Sequence, residues 1–264
     1  MHISSLDSYR IGQSLLHQLD ARVKLALTLA YILTVSLTPV AAWPAYVLLF
    51  ALALGASVAS ELGLGFVWKR SLLALPFVLA AMPVIVTAPG QAVLSLHLGA
   101  WSLLITVEGL ERFLSIALKS LLSLQMAVLL TATTPQPDLL SAMKALHLPR
   151  LLVAIIGLMW RYLFLLADEA LRMLRAREAR SAAGVGRSGG SLGWRARVTG
   201  AMAGTLFLRG YERSECIYNA MLSRGYDGSV RWLPSRPLSS AQRWVLLAGL
   251  VMLTALLGMA YLLV

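Results

Sequence analysis

Two arginines carry the most distinctive chemistry in this sequence. They are Arg180, in Glu178-Ala179-Arg180-Ser181, and Arg224, in Leu222-Ser223-Arg224-Gly225. Each closes a segment of helical period. Each is flanked by small residues, Ala179 and Ser181 in one case, Ser223 and Gly225 in the other. A guanidinium is a planar fork of donors suited to a carboxylate or to carbonyl groups in a partner groove. A cation at a helix C-terminus is also favoured by the helix dipole, by about 0.3–1 kcal/mol. One such end is therefore ordinary. Two in a single polar segment look like matched plugs for two matched sockets.

Other reactive groups are scattered. The histidines His2, His17, His97 and His147 lack the i, i+3 or i, i+4 partner that a helix-borne metal site needs. Cys216 is the only cysteine, which excludes an intrachain disulfide and a cysteine-based metal cluster. Lys119 is the one ionisable residue expected well inside a span. It belongs either to an ion path or to a snorkelling pair with Glu108 or Glu111, and its isolation favours the second. An intramembrane enzyme would need paired carboxylates, histidines or a Ser/Lys couple at matching depth. Only Lys119 and Glu61 stand out, so no enzyme is expected. A channel would need a ring of polar residues recurring along the spans, and none is seen. No Gly-x-x-x-x-Gly-Lys-Ser/Thr phosphate loop is present.

The elements that must position the two arginines follow from composition. The chain has 264 residues, 58% hydrophobic and 13% charged. That is too apolar for a soluble domain and defines an all-α integral membrane protein. The net charge of +11 fits the excess of Lys and Arg in cytoplasmic loops. No basic stripe with stacking aromatics points to nucleic acid, and no cleavable signal peptide is expected at the N-terminus.

About five transmembrane helices are expected. Residues 1–24 form a cytoplasmic N-terminal segment with a short amphipathic piece at 14–20. Residues 25–134 hold helices 1–4. The first apolar helix stops at Pro39, and Pro44 suits the first turn of the second. The third, 71–88, is expected to be one helix kinked by Pro76 and Pro83. Residues 91–107 alternate weakly and suggest a non-cytoplasmic loop or re-entrant piece. The fourth span runs over 110–133. After the break at Thr134-Pro135, Asp138 is the expected N-cap of a helix over 139–146, and Pro149 opens the next. Residues 135–242 form a cytoplasmic helical coupling domain inserted before the last span, 243–264. Hydropathy alone would make 151–167 a further span. Crossing there would put most of the arginines outside, so this helix is expected along the cytoplasmic face or only partly in the bilayer.

Within that domain Asp168 and Glu169 precede Arg172 in the order that supports a helix. The residues between Gly184 and Gly193 suggest a flexible connector. The second arginine-tipped helix is expected to begin near Tyr211-Glu212, with Ile217, Ala220, Met221 and Arg224 on one face and Gly225 as its cap.

Three stretches make the chain resemble the transmembrane T component of energy-coupling-factor transporters (the EcfT family). They are Leu130-Thr131-Ala132-Thr133-Thr134-Pro135 with Asp138-Leu139-Leu140 and Pro149; Ala179-Arg180-Ser181; and Arg213-Ser214-Glu215 through Met221-Leu222-Ser223-Arg224-Gly225-Tyr226. His17-Gln18-Leu19-Asp20-Ala21-Arg22-Val23-Lys24 is similar to the N-terminus of its cobalt branch, the CbiQ-like proteins. Ser223 departs from the usual alanine. The resemblance implies a non-catalytic subunit for cobalt import in the bacterial inner membrane, linked to cobalamin biosynthesis. It implies docking of the two arginine-tipped helices into two ATP-binding-cassette ATPases, where ATP and Mg would be bound. It also implies a membrane-embedded, CbiM-like S component, with or without a small accessory membrane subunit. Cobalt would be cargo, and this chain would hold no cofactor. Nickel, or vitamins bound by other S components, are the same-class alternatives.

Overall fold

The computed structural model describes residues 9–10, 12–87, 89, 92–98, 101–146, 148–180, 191–228 and 237–262. They divide into two compact units, one drawn from residues 8–146 and 235–264, the other from residues 147–234. The helical membrane class holds throughout, with one short hairpin as the exception.

In the first unit, α1 (Leu15–Gln18) lies within the expected amphipathic piece. The aspartate Asp20 caps α2 (Ala21–Leu37), accepting the backbone N–H of Arg22 at 2.9 Å, and the helix ends ahead of Pro39. Pro44 lies in the first turn of α3 (Trp43–Ala59). Each of these helices has 17 residues, about 25 Å at 1.5 Å per residue, near the lower limit for crossing a bilayer.

The region read as one kinked helix is instead a series of short pieces. These are α4 (Leu64–Ser71), a 3-10 turn (Leu72–Ala74), α5 (Leu75–Ala80) and α6 (Val84–Thr87). Pro76 and Pro83 each lack an N–H and crowd the preceding turn, so one continuous hydrogen-bond ladder is lost. Where the sequence suggested a loop or re-entrant piece, β1 (Ala92–Leu98) and β2 (Trp101–Thr106) pair antiparallel, with Leu98 opposite Trp101. The weak period-2 alternation was the strand signal. The chain then enters α7 (Val107–Thr133) and α8 (Gln136–Ala145). Asp138 is not the N-cap of α8. The helix starts at Gln136, and the N–H groups of Asp138 and Leu139 both bond the Pro135 carbonyl at 3.1 Å, leaving Asp138 in the first turn where the dipole favours an acid. The last helix is α11 (Ser240–Leu262).

Side-chain contacts give the helix directions within this unit. Tyr31 donates to the Leu49 carbonyl and Tyr46 to that of Pro39, so α3 runs against α2. Tyr46 also bonds Ser115, and Gln125 bonds Ser57, so α7 runs with α3. Tyr261 donates to the Leu37 carbonyl and Gly249 lies against Leu27, so α11 runs with α2. The end of α7 and the start of α11 therefore lie at the same end of the bundle. Tyr31, Val35, Leu49, Ala53, Leu122 and Leu253 from the four helices form the core. In lipid this close packing, rather than escape from water, draws such helices together.

Two lysines tie α2 and α7 at opposite ends. Lys24, buried at the start of α2, donates to the Thr133 carbonyl at the end of α7 at 3.0 Å. Lys119 donates to the Ser36 carbonyl at the end of α2 at 3.0 Å. Neither Glu108 nor Glu111 is its salt-bridge partner among the described residues, so of the snorkelling or pairing suggested by the sequence the acid pair does not form. Each lysine brings a cation and a donor to carbonyls that have no partner in their own helix.

Lys24→Met keeps the stem but leaves the Thr133 carbonyl unpaired. The expected loss is about 1–3 kcal/mol, read as a lower unfolding midpoint in lipid nanodiscs. Lys119→Met should cost less, because Lys119 is only half-buried. A Lys24→Met protein as stable as the wild type would remove this cap from the account.

Candidate functional site

The candidate site is built on two long helices of the second unit, α9 (Arg150–Arg180) and α10 (Leu192–Leu222), 31 residues each. The second does not begin near Tyr211. It begins at Leu192, where Ser191 caps it by accepting the Trp194 N–H at 3.3 Å. The half-buried residues Val198, Met202, Leu206, Gly210, Ile217 and Met221 mark one stripe along most of its length, spaced by four or seven as a helix face allows. That stripe was readable in the sequence. Glycines 193, 200, 204 and 210 obscured it, each costing a helix about 1 kcal/mol. A methyl group added at Gly210 would stand 3.6 Å from Leu166 of α9, an ordinary contact.

The two helices run in opposite directions. Leu166 faces Gly210, Glu169 pairs with Arg209, and the Arg177 guanidinium lies over the Trp194 ring at 5.9 Å. Rising numbers on α9 meet falling numbers on α10. From the Glu169–Arg209 pair, Arg180 lies about 16 Å along α9 and Arg224 about 22 Å along α10, in opposing senses. The tips are thus about 40 Å apart and cannot share one small socket.

The arginines sort by their partners. Glu169 holds both Arg172, at 3.2 Å, and Arg209, so the expected acid-before-base pair forms and gains a second cation. Arg175 bonds the Leu171 carbonyl at 3.3 Å. Arg180 and Arg224 are exposed, and neither has an ion-pair or hydrogen-bonding side-chain partner among the described residues. Arg197 and Arg213 share that freedom but lie along the shaft of α10. The tip arginines differ in ending their helices, where a partner can approach end-on.

Ala179 and Arg180 are the last two residues of α9, both exposed. Ser181 and the connector through residue 190 lie outside the described residues. At the other tip the Ser223 hydroxyl turns back to the Ala220 carbonyl at 3.0 Å. It therefore adds no unpaired polar group where the resembling family has alanine. Gly225 adopts φ +79. Its N–H bonds the Leu222 carbonyl at 2.9 Å, and the Tyr226 N–H bonds that of Met221 at 3.0 Å. This paired closure is the Schellman arrangement, which fixes where the chain leaves the helix. Glu61, the other polar residue noted beside Lys119, sits exposed in the turn after α3 at φ 54.

The described residues thus give a helical membrane bundle and, in the second unit, two long helices that end in arginines. The CbiQ model, described as cobalt transport protein, matches residues 12–234, and the chain belongs to that family. It is a membrane component of an energy-coupling-factor transporter. The putative fused cobalt transport protein CbiMQ of Methanocorpusculum labreanum is 28% identical over 235 residues, 85% of this chain and 37% of that protein. The cobalt transport protein CbiQ of Rhodobacter capsulatus is 27% identical over 161 residues, 61% and 64% of the two chains. The energy-coupling factor transporter transmembrane protein EcfT of Listeria innocua is 29% identical over 233 residues, 84% of each. The chain spans less than two thirds of the first two relatives' own length.

Gly225→Ala tests the second tip. No atom would block the new methyl group, so the cost is that of left-handed backbone, about 1–2 kcal/mol. Hydrogen exchange at the Tyr226 amide should quicken roughly tenfold, while Gly225→Asn should stay near wild type. Equal protection in the alanine variant would show that the closure does not depend on glycine.

Proposed function

We propose that this chain is the coupling subunit of an ATP-driven cobalt importer. Arg180 and Arg224 each dock into one of two ATP-binding-cassette ATPases, with Ala179, Ser181, Ser223 and Gly225 keeping the tips narrow. The observation that carries the reading is the pair of exposed, unpartnered arginines at the ends of two opposed helices. One socket per ATPase fits tips that far apart.

The mechanism follows from the same geometry. The ATPases bind ATP and Mg and close on each other. Tips held by both are drawn together, and α9 and α10 turn about the contact formed by Leu166, Glu169, Arg209 and Gly210. A membrane-embedded S component that holds the ion responds to this turn. The exposed apolar residues Leu151, Ile155 and Met159 of α9 and Phe207, Tyr211 and Tyr218 of α10 offer it a surface. A relative named as a fused CbiMQ protein supports a CbiM-like partner. This chain itself hydrolyses nothing.

Helix directions support a single insertion, residues 135–242, on one side of the membrane. The chain leaves α7 and enters α11 at the same end of the bundle, so the number of crossings between them is even. The helix α9 is long and apolar enough to span, but α10 is not among the described helices that are. The excess of arginines supports a cytoplasmic position, at the inner membrane, for this insertion and for the N-terminus.

The test is the double variant Arg180→Glu, Arg224→Glu. It should remain in the membrane, fail to co-purify the ATPases, and lose ATP-dependent cobalt uptake by more than tenfold. Each single variant should lose one ATPase. A double variant that retains both ATPases and transports normally would falsify the docking assignment. Uptake of nickel in place of cobalt by the wild-type complex would move the cargo without touching it.

A further inference from the structure

A second group of arginines lies in the membrane unit. The guanidinium of Arg10 lies 3.9 Å from the centre of the Phe66 ring, and that of Arg70 lies 4.7 Å from the same centre. Their central carbons are therefore at most about 9 Å apart, the sum of the two distances. Two like charges this close repel each other. A single aromatic ring attracts each of them but neutralises neither. No carboxylate stands within ion-pairing distance of either among the described residues. Glu61, the nearest acid along the chain to Phe66, is exposed and forms no ion pair with either arginine, while Lys69 adds an exposed cation beside the half-buried Arg70.

The pair is held in place. The Arg10 N–H bonds the Ala132 carbonyl at 3.0 Å, and the Arg10 carbonyl accepts from His17 Nε2 at 3.0 Å. His17 Nδ1 in turn meets the Ser14 hydroxyl at 2.6 Å. Arg70 is fixed by α4, one turn after Phe66. Trp68 on the same helix is exposed, and the next apolar side chains, Leu72, Leu73, Leu75 and Phe77, are 50–70% exposed. A cationic cluster with an exposed tryptophan at the edge of an exposed apolar run is the arrangement of a membrane–water interface.

We infer that Arg10 and Arg70, spaced by Phe66, form a binding site for the phosphate of an anionic phospholipid headgroup. A guanidinium bonded to a phosphate oxygen places its carbon roughly 4 Å from the phosphorus. Twice that distance is roughly 8 Å, close to the upper bound on the separation of the pair, so one phosphate beside the ring can meet both guanidinia with a small side-chain adjustment. It supplies the negative charge that the protein does not, and its acyl chains would continue along the apolar run after α4. Anionic lipids of the cytoplasmic leaflet are the available source.

The experiment uses the full chain in detergent, titrated with phosphatidylglycerol or phosphatidylcholine and followed by native mass spectrometry and thermal unfolding. Phosphatidylglycerol should bind and raise the unfolding midpoint, and phosphatidylcholine should not. Arg10→Gln, Arg70→Gln should bind phosphatidylglycerol at least tenfold more weakly. Each single variant, which keeps one guanidinium and serves if the double variant does not fold, should fall between. Arg112→Gln, Arg243→Gln removes the same charge elsewhere and should bind as wild type. Equal weakening in that control would show diffuse attraction and overturn the site, as would undiminished binding in the first double variant. Stabilisation by inorganic phosphate alone, with no further gain from the lipid, would reassign the site to a free anion.

Discussion

A backbone carbonyl at a helix end has no water to turn to inside a bilayer. The membrane unit answers this at both ends of one helix pair. The two helices run in opposite directions, so the start of α2 lies beside the end of α7, and Lys24 reaches the Thr133 carbonyl there. At the other end Lys119 of α7 reaches the Ser36 carbonyl of α2. Tyr261 of α11 bonds the next carbonyl along, that of Leu37, and Tyr46 of α3 bonds that of Pro39. Three neighbouring helices thus supply donors to the exit of a 17-residue span. A helix this short leaves its ends near hydrocarbon, and the donors keep those ends from costing several kcal/mol each. The same contacts fix the directions of all four helices around the core.

The second unit obeys a different constraint. Its described helices α9 and α10 are held by one inner stripe and by Glu169, which bonds cations on both helices. No residue of α10 is buried. Such a pair has little to resist a turn about its own contact, and its ends carry groups left for a partner. The membrane unit holds its helix ends closed by internal donors, whereas the long pair leaves its tips open. That contrast separates the two units more clearly than hydropathy does.

Much of this was legible in the residues. Prolines 39, 44, 135 and 149 marked helix ends where they were expected, because a missing N–H acts locally. The arginine tips were legible for the same reason, since a cation, small neighbours and a glycine cap lie within four residues. What was not legible depended on distant partners or on competing signals. Lys119 looked like a charge in need of an acid. Its partner is a carbonyl 83 residues away, which no local pattern reveals. Residues 71–88 had the composition of a span, but two prolines divided the ladder into pieces too short to be one helix. The start of α10 was obscured by glycines that weaken helix propensity without ending the helix, and the stripe from Val198 to Met221 outweighed them.

Arginine abundance acquires a finer meaning from these contacts. The positive-inside rule treats every Lys and Arg alike, but the chain uses them in separable ways. Lys24 and Lys119 close helix ends, and Arg172 and Arg209 share one glutamate. Arg177 rests over an indole. Arg10 and Arg70 share a ring with no acid among the described residues to neutralise them, which leaves a charge for an anion to meet. Arg180 and Arg224 end their helices with no side-chain partner among the described residues. Net charge orients such a protein, but only the unpaired cations, in places where an anion or a carbonyl can reach them, can recognise anything.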